Sequence, residues 1–575
     1  RHPATPLTAE VSCDVPRMPQ DQPFSIAAAT RRDTNGRFIG EDHFNGKLEA
    51  PRVLHRAITD TEAQRLLLDA VAAARDPGLV AAWDFSLVMD STTFSDIGPN
   101  RFNGQLVNVP TRGMTGWRWS GAVHCWKNAP EEYAAIHFHE DDLYDADWEP
   151  DFAVSIPDDA ASGVYAACLR TGDETECIPF FVRPSRGRVG ADLLLLLPTA
   201  SYLAYANEHL GLHVGETEAL SGHVSALQKE DIYLSEHPEL GLSLYDTHSD
   251  GSGVSYSSRL RPILNFRPGR LSAWIGSNPR VPWQFNADLD LVAFLERKGI
   301  AYDVATDEDL HHEGLALLSR YRMVMTGTHP EYYSTPMHDA VRAWLDRGGR
   351  LMYTGGNGFY WRIAFHDDIP GVIELRRAED GIRDWVSEPG EYYHSFTGEL
   401  GGLWRRIGRP PQELVGVGMA TQGFDYSGYY RRAPGAAHPR AAFIVSEIDD
   451  EIIGDFGHIG GGAAGLELDR ADPALGTPDH ALVIASSEGH TSLTFAVPEE
   501  VDNVSDELVA PRNPSLRGDV VFFETGAGGA VFSTGSIAWA GSLAHAGYDN
   551  NVARMTENVV RRFLDPAPFS WPGEA

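Results

Sequence analysis

The stretch DLLLLLP, from Asp192 to Pro198, decides the fold of most of this chain. Its five leucines form a near-continuous apolar run, which is typical of a strand buried on both faces of a parallel sheet. Apolar runs and helical patterns then alternate, with strands predicted at 302–305, 322–327, 350–354 and 529–534 and helices at 289–298, 337–347 and 550–564. This alternation predicts an open α/β domain with insertions over residues 187–575.

Two smaller β units are predicted ahead of this domain. Residues 1–125 hold short strands separated by turn residues, which favours a β-sandwich, with one helix predicted at 60–74. The phrases FNG at 44–46 and RFNG at 101–104 resemble the laminin-G or concanavalin-like jelly roll, so we expect a lectin-like sandwich. Residues 126–186 are predicted to form a small Ig-like β unit, with strands at 133–138, 151–156, 163–169 and 177–182.

The charge balance argues against two classes of partner. Among 575 residues, 47 are Lys or Arg and 81 are Asp or Glu, which gives a net charge of -34 at pH 7. Because such a surface repels phosphate backbones and anionic lipids, we expect neither nucleic acid nor membrane as a partner. The chain starts at Arg1 without a signal pattern. We expect a secretory signal to be absent or already removed, or the chain to begin inside a longer gene product.

The four cysteines bear on the cellular compartment. Cys13, Cys125, Cys168 and Cys177 are too few for a disulfide scaffold, and none has CxxC spacing. Cys168 and Cys177 fit adjacent strands of one hairpin, but a reduced buried pair is commoner in the cytosol. We therefore expect a cytoplasmic protein with reduced cysteines.

Polar and aromatic residues follow three predicted strands of the α/β domain. The segments 198–207, 326–333 and 354–360 are each rich in Tyr, His, Glu, Asn or Gly. Ligands of open α/β sheets bind beyond the carboxyl ends of the strands. One such segment is equally well explained as a tight turn that plugs the sheet edge, but three together favour an enzyme active site.

His329 and Glu331 are the strongest candidates in these segments. They flank Pro330, which restricts the backbone so that both side chains can face one crevice. An imidazole and a carboxylate held in this way suit metal binding or acid/base catalysis. The alternative is that Glu331 or Ser334 caps the following helix.

Three further segments carry candidate groups. Asn357 lies in the loop GGNG at 355–358, where glycine leaves room for a ligand to approach, although an ordinary turn explains the loop as well. The loop LYDTHSDGSG at 244–253 could bind a metal or simply turn. HFHEDD at 137–142 has zinc-like histidine spacing, but we expect a solvated surface there. The absence of a GxSxG motif and of a P-loop argues against covalent catalysis and nucleotide binding.

Four phrases together resemble a known family. They are PTASYLAYAN at 198–207, LYDTHSDGSG at 244–253, THPEY at 328–332 and TGGNG at 354–358. In this order, and with a lectin-like sandwich and a small β unit ahead of them, they are similar to the large subunit of N,N-dimethylformamidase and its C-terminal-domain relatives. The resemblance covers nearly the whole chain and implies a glutamine-amidotransferase-like, Rossmann-like α/β domain.

The resemblance also implies a mononuclear ferric iron. Carried over to this sequence, its ligands would be Tyr205, Tyr245 and Glu331, with Tyr202 as the alternative to Tyr205. A free tyrosine has a pKa of about 10, but a trivalent cation deprotonates it, as metals do with other protic ligands. Two phenolates and a carboxylate are hard donors that suit ferric iron and leave coordination positions open.

The activity that the resemblance implies is hydrolysis of a small amide, with N,N-dimethylformamide, cleaved to dimethylamine and formate, as the expected substrate. Glu467 would be the general base, and His329 and Asn357 would stabilise the oxyanion. The expected partners are the amide substrate and a small alpha subunit, in a hetero-oligomer or larger homo-oligomer. The alternatives are a carbohydrate-binding protein or a glycoside hydrolase in which the α/β domain is not catalytic.

Overall fold

The computed structural model describes residues 22–34, 36–68, 76–185, 188–275, 281–380, 384–501 and 505–572. Strands dominate these residues. They form one sheet of eleven strands in the C-terminal part of the chain and five sheets of two to four strands elsewhere in the described residues. A multidomain protein rich in β-structure is therefore confirmed, while the jelly-roll, Ig-like and Rossmann-like assignments stay predictions.

The eleven-stranded sheet has a parallel half and an antiparallel half. In spatial order the parallel strands are Asp303–Thr306, Leu193–Leu197, Met323–Thr326, Arg350–Tyr353 and Ala530–Ser533. The antiparallel half continues with Asp519–Glu524, Leu482–Glu488, Gly418–Arg432 and Ile452–Ile453, and the strands Ala464–Arg470 and Phe495–Ala496 also pair with Gly418–Arg432. The leucine run thus has a parallel neighbour on each side, as predicted.

Helices pack on both faces of the parallel half. Successive side chains of a strand point to opposite faces, so a run of leucines places apolar side chains on both faces of the sheet. Leu194 and Leu196 pack in one cluster with the helix Thr335–Leu345, and the other three leucines pack with the helices Phe285–Lys298 and Asn551–Leu564. All five leucines are at most 2% exposed. At about 1.5–3 kcal/mol per buried leucine, the run contributes about 7–15 kcal/mol, comparable with the net stability of a whole domain.

Shorter elements complete the C-terminal part. A four-stranded sheet is formed by Tyr256–Ser258, Val372–Leu375, Trp361–Phe365 and Tyr332–Tyr333. The remaining α-helices described there are Thr199–Ala204, Val214–Ser221, Lys229–Glu236, Asp307–Glu313, Leu315–Leu318 and Gln412–Val415. Within the described residues, no helix combines the length and apolar character needed to cross a bilayer.

Small antiparallel sheets make up the N-terminal part. Their strands are Ala29–Arg32 with Phe38–Glu41; Gly46–Glu49, Ala135–Phe138 and Thr111–Met114; and Arg52–Leu54, Leu79–Asp84, Thr93–Asp96 and Gly104–Gln105. Ala135–Phe138, predicted in the second unit, pairs with strands of the first. No strand occurs at 151–156, so that prediction is wrong. The predicted helix is found at Asp60–Leu68, and residues 69–74 lie outside the described part of the chain.

A long hairpin connects this part to the central sheet. Its strands Gly163–Thr171 and Glu174–Val182 place Cys168 directly opposite Cys177, and the two form a disulfide. The expectation of a reduced buried pair is therefore wrong, because both residues lie on a largely solvent-exposed hairpin. The cysteines therefore no longer support the prediction of a cytoplasmic protein.

Candidate active site

The candidate active site lies at the carboxyl ends of three neighbouring parallel strands. Leu193–Leu197 leads into the helix Thr199–Ala204 and Tyr205, Met323–Thr326 leads into Glu331, and Arg350–Tyr353 leads into the GGNG loop. This is the edge at which ligands of open α/β sheets bind. The three segments predicted from the sequence thus lie at one edge of the sheet, and their role as an active site stays a prediction.

Three tyrosine hydroxyls and one carboxylate meet at this edge. Tyr205 Oη donates to Glu331 Oε2 at 3.0 Å, and Tyr245 Oη lies 2.5 Å from Tyr205 Oη. Tyr245 Oη is also 3.2 Å from Glu331 Oε1 and 2.6 Å from Tyr332 Oη. We call Tyr205, Tyr245, Glu331 and Tyr332 the oxygen cluster.

Burial disfavours charge throughout the oxygen cluster. It raises the pKa of Tyr205 and of Tyr245 well above 10, and the nearby Glu331 carboxylate adds to both effects. Burial also raises the pKa of Glu331 to about 7. Because low dielectric penalises anions that lack a counter-charge, phenolates form here only with a cation close by.

Arg377 supplies one positive charge beside the oxygen cluster. Its buried guanidinium lies 4.9 Å from the centre of the Tyr245 ring and also contacts Trp361 and Trp385. Nη2 donates to the carbonyl oxygen of Leu244 at 2.8 Å, which fixes the residue next to Tyr245. The guanidinium opposes the rise in the pKa of Tyr245, so it makes the tyrosinate form less costly.

His329 lies between two carboxylates. Its Nε2 is 2.9 Å from Glu467 Oε2 and 3.3 Å from Glu331 Oε2, contacts that are electrostatic rather than well-aligned hydrogen bonds. Burial lowers the pKa of His329, but Glu467 and Glu331 outweigh burial and raise it overall. Gln284 Nε2 lies 2.9 Å from Nδ1. If Gln284 donates this bond, the imidazole proton is on Nε2, facing the carboxylates.

The glycines of the GGNG loop were expected to leave space for a ligand, but they lie close to protein backbone instead. A Cβ atom on Gly355 would lie 2.4 Å from the carbonyl oxygen of Thr328, and one on Gly356 would lie 2.3 Å from that of Glu467. The glycines therefore let this loop approach protein backbone, and the space predicted for a ligand is filled. Asn357 has φ 50° and donates its backbone N–H to Asp469 Oδ1 at 2.8 Å, which locks its position.

Comparison with known proteins identifies the family. A sequence model described as N,N-dimethylformamidase beta subunit-like, C-terminal, matches residues 111–552, which include every residue of the site. The chain belongs to this family. It is 43% identical over 537 residues to the N,N-dimethylformamidase beta subunit of Paracoccus aminophilus and 41% identical over 535 residues to that of Alcaligenes sp. Each match covers 92% of this chain and 69% of the relative.

A solved structure gives a much weaker likeness. The crystal structure of a ThuA-like protein from Bacteroides uniformis matches with 12% identity and a TM-score of 0.25, covering 49% of this chain and 87% of that one. A superposition this loose supports no argument about the fold. Membership of the dimethylformamidase beta-subunit family rests on sequence alone.

The geometry separates the two tyrosines that the family resemblance left as alternatives. Tyr202 donates its hydroxyl to Asp288, whereas Tyr205 contacts Glu331. Glu331 does not cap a helix, because its carboxylate faces Tyr205 and Tyr245. The predicted residues Tyr205, Tyr245, Glu331, His329 and Glu467 are thus brought together. Asn357 follows Gly356, which packs against the backbone of Glu467, and its own N–H is bonded to Asp469.

The oxygen cluster fits the ferric ion that the family resemblance implied. It offers phenol and carboxylate oxygens, which are hard donors, in a buried position. Glu467 Oε2 and His329 Nε2 beside it are buried without a hydrogen-bond partner in the described part of the chain, so polar groups remain available for a ligand. Tyr205, Tyr245 and Glu331 are the residues that would hold the metal.

Three residues of the candidate site were not predicted from the sequence. Tyr332 follows Glu331 directly and could have been found from that adjacency, since the phrase THPEY contains it. Arg377 follows the strand Val372–Leu375 and Gln284 precedes the helix Phe285–Lys298, and neither carries a sequence pattern of its own. The assignment of His137 and His139 to a solvated surface was wrong, because both are buried against the loop that carries Tyr245.

Proposed function

We propose that this chain hydrolyses a small amide, most specifically N,N-dimethylformamide to dimethylamine and formate, at the oxygen cluster. The observation that carries the proposal is the convergence of Tyr205, Tyr245 and Glu331, within 3.3 Å of one another, beside the pair His329 and Glu467. The two relatives above are named N,N-dimethylformamidase beta subunits. The rival reading, a carbohydrate-binding protein or glycoside hydrolase, leaves this buried cluster without a role.

A ferric ion held by Tyr205, Tyr245 and Glu331 would supply Lewis acidity toward a carbonyl oxygen and a water molecule. Two phenolates and the Glu331 carboxylate would together balance the three positive charges of such an ion, with the Arg377 guanidinium 4.9 Å from the centre of the Tyr245 ring. A small cavity of about 30 Å³ is lined by Tyr205, Trp283 and Gln284, so it borders one member of the cluster.

The remaining steps belong to side chains of this chain. Glu467 accepts a proton from the attacking water and then delivers it to the departing amine nitrogen as the carbon–nitrogen bond breaks. His329, with its proton on Nε2, donates a hydrogen bond to the oxygen that becomes negative in the transition state. Asn357 supplies a second donor at the same oxygen. The products are formate and dimethylamine, and no oxidation or reduction occurs.

A further proposal concerns assembly. Because the relatives are named as beta subunits, we propose that this chain works with a small alpha subunit in a larger oligomer. Co-expression of the two chains followed by mass measurement of the native complex tests this. A chain that is fully active alone as a monomer contradicts it.

The function is tested by metal analysis, the visible spectrum and dimethylamine release on the same preparation. Wild-type protein should contain about one iron per chain, show a tyrosinate-to-iron absorption band, and release dimethylamine from dimethylformamide. Tyr205→Phe and Tyr245→Phe should lose the band and the activity. Tyr426→Phe, at an exposed tyrosine, is the matched control and should keep both. Active protein that is colourless and free of iron refutes the metal proposal.

A further inference from the structure

A second group of metal-binding side chains lies away from the oxygen cluster. His137, at the end of the strand Ala135–Phe138, and His139 just after it are 8% and 5% exposed. They face Asp250, which lies in the loop that carries Tyr245. Histidines this buried need a partner for each ring nitrogen or a ligand.

The three side chains converge on one point. His137 Nε2 lies 2.8 Å from Asp250 Oδ2, and His139 Nε2 lies 3.8 Å from the same oxygen. Around a tetrahedral zinc with bonds of about 2.1 Å, neighbouring ligand atoms are separated by about 3.4 Å. The two observed separations bracket that value, so a small rotation of the rings suffices to seat an ion.

Hydrogen bonds outside the trio orient two of its members. His139 Nδ1 lies 3.1 Å from Asp142 Oδ1, and the other oxygen of Asp142 accepts the backbone N–H of His139 at 2.9 Å. A carboxylate on one ring nitrogen fixes the tautomer and leaves the other nitrogen as the ligand atom, as at many zinc sites. Ser252 donates to Asp250 Oδ1 through its hydroxyl at 2.6 Å, and the same hydroxyl oxygen lies 3.0 Å from His139 Nε2. A zinc ion on Nε2 would replace this contact, while Oδ2 of Asp250 already faces the histidines.

A neighbouring trio of His139, Asp142 and His248 is a poorer site. The rings of His139 and His248 are stacked at 3.6 Å with an angle of 2° between their planes. An imidazole binds a metal along its ring plane, so two parallel stacked rings cannot meet on one ion. The planes of His137 and His139 differ by 47°, which lets their nitrogens converge.

Charge and space also favour an ion in the first trio. Asp141, Asp142 and Asp250 bring three carboxylates to one partly buried spot, where Asp141 is 2.6 Å from His248 Nδ1. A divalent cation offsets part of this negative charge. The trio also lines a cavity of about 310 Å³, so a fourth coordination position is open to water.

We propose that His137, His139 and Asp250 bind a zinc ion whose fourth position faces this cavity. Two imidazole nitrogens and one carboxylate oxygen form a donor set that suits zinc. The ion ties the strand Ala135–Phe138 to the loop at 244–253, so it holds the segment that carries Tyr245 in place. It is independent of the iron proposed at the oxygen cluster.

Zinc titration of the full-length chain tests the site. Protein stripped with a chelator, given zinc and then desalted should retain one zinc per chain. Asp250→Asn and His139→Gln should bind it at least tenfold more weakly, while His43→Gln, at an exposed histidine of the same N-terminal part, should bind as wild type does. Tyr205→Phe should keep its zinc, which separates this site from the oxygen cluster.

Three results overturn the proposal. The first is wild-type protein that retains no zinc, in which case the trio is an ordinary network of hydrogen bonds. The second is equal zinc binding by Asp250→Asn, His139→Gln and His43→Gln, and the third is zinc lost in Tyr205→Phe, because in either case the ion sits elsewhere. If a variant fails to fold, X-ray absorption of zinc-loaded wild type decides, since the site requires a first shell of nitrogen and oxygen at about 2.0–2.1 Å.

Discussion

Replacing Glu467 with glutamine separates the proposed base from the proposed metal donors. The change keeps the shape of the side chain but removes its capacity to accept a proton from water. Glu467 lies 2.9 Å from His329 Nε2 and is not one of the residues within the oxygen cluster. We therefore expect iron content and the visible absorption band to stay as in wild type while catalysis fails.

The size of the loss follows from the role. A positioned general base contributes about 10²–10⁴ to a rate, which corresponds to about 2.7–5.4 kcal/mol of transition-state stabilisation. Dimethylamine release at saturating dimethylformamide should fall by that factor, with KM changed little because the substrate contacts remain. Removing the negative charge also lowers the pKa of His329, since Glu467 is the main group that raises it.

The matched control is Glu488→Gln, at an exposed glutamate on a neighbouring strand of the same sheet. Its activity should equal that of wild type, because exposed ion pairs contribute little. Activity of Glu467→Gln within threefold of wild type refutes the assignment of the base. Loss of iron together with activity also refutes it, since Glu467 would then belong to the metal site.

Three further outcomes are expected. Tyr332→Phe removes the 2.6 Å contact with Tyr245. It should shift the absorption band and slow turnover about tenfold, which is the equivalent of one hydrogen bond. Iron should be retained, and a variant without iron contradicts this prediction. Burial lowers the pKa of His338 to about 3 and of His394 to about 4, so the unfolded chain binds protons that the folded chain does not. Below pH 6.5 the free energy of unfolding should fall by about 1.4 kcal/mol per pH unit for each histidine, and a flat urea-unfolding profile from pH 7 to 5 argues against it. Leu195→Ala should cost about 2–5 kcal/mol in urea unfolding and Leu169→Ala, at an exposed leucine, almost nothing; equal costs contradict the buried-strand account.

The features of the fold that could be predicted are those that depend on residues close to one another in the sequence. The leucine run, the strands after it and the helix Asn551–Leu564 are all found close to their predicted bounds. Since parallel strands end at one edge of a sheet, the same local pattern also brought Tyr205 and Glu331 to one edge as candidate site residues. Glu467 entered only through family resemblance, because it comes from the antiparallel half of the sheet.

The features that could not be predicted depend on contacts between distant residues. His137 is buried by Asp250, which lies 113 positions along the chain, and no periodicity near His137 indicates that contact. Arg377 owes its place to three aromatic rings from separate segments. The strand predicted at 151–156 had the right composition, but no neighbour pairs with it.

The order of strands in the large sheet has a consequence for how the protein is made. Ala530–Ser533 comes last of its strands in the sequence, yet it lies in the middle of the sheet and joins the half that carries the tyrosines to the half that carries Glu467. A ribosome therefore releases Tyr205, Tyr245 and Glu331, the proposed metal donors, before the strand that joins the two halves of the sheet. Until that strand inserts, the proposed donors and the proposed base Glu467 lie on halves that are not yet joined, so we expect activity to appear only after the C-terminal strand has folded.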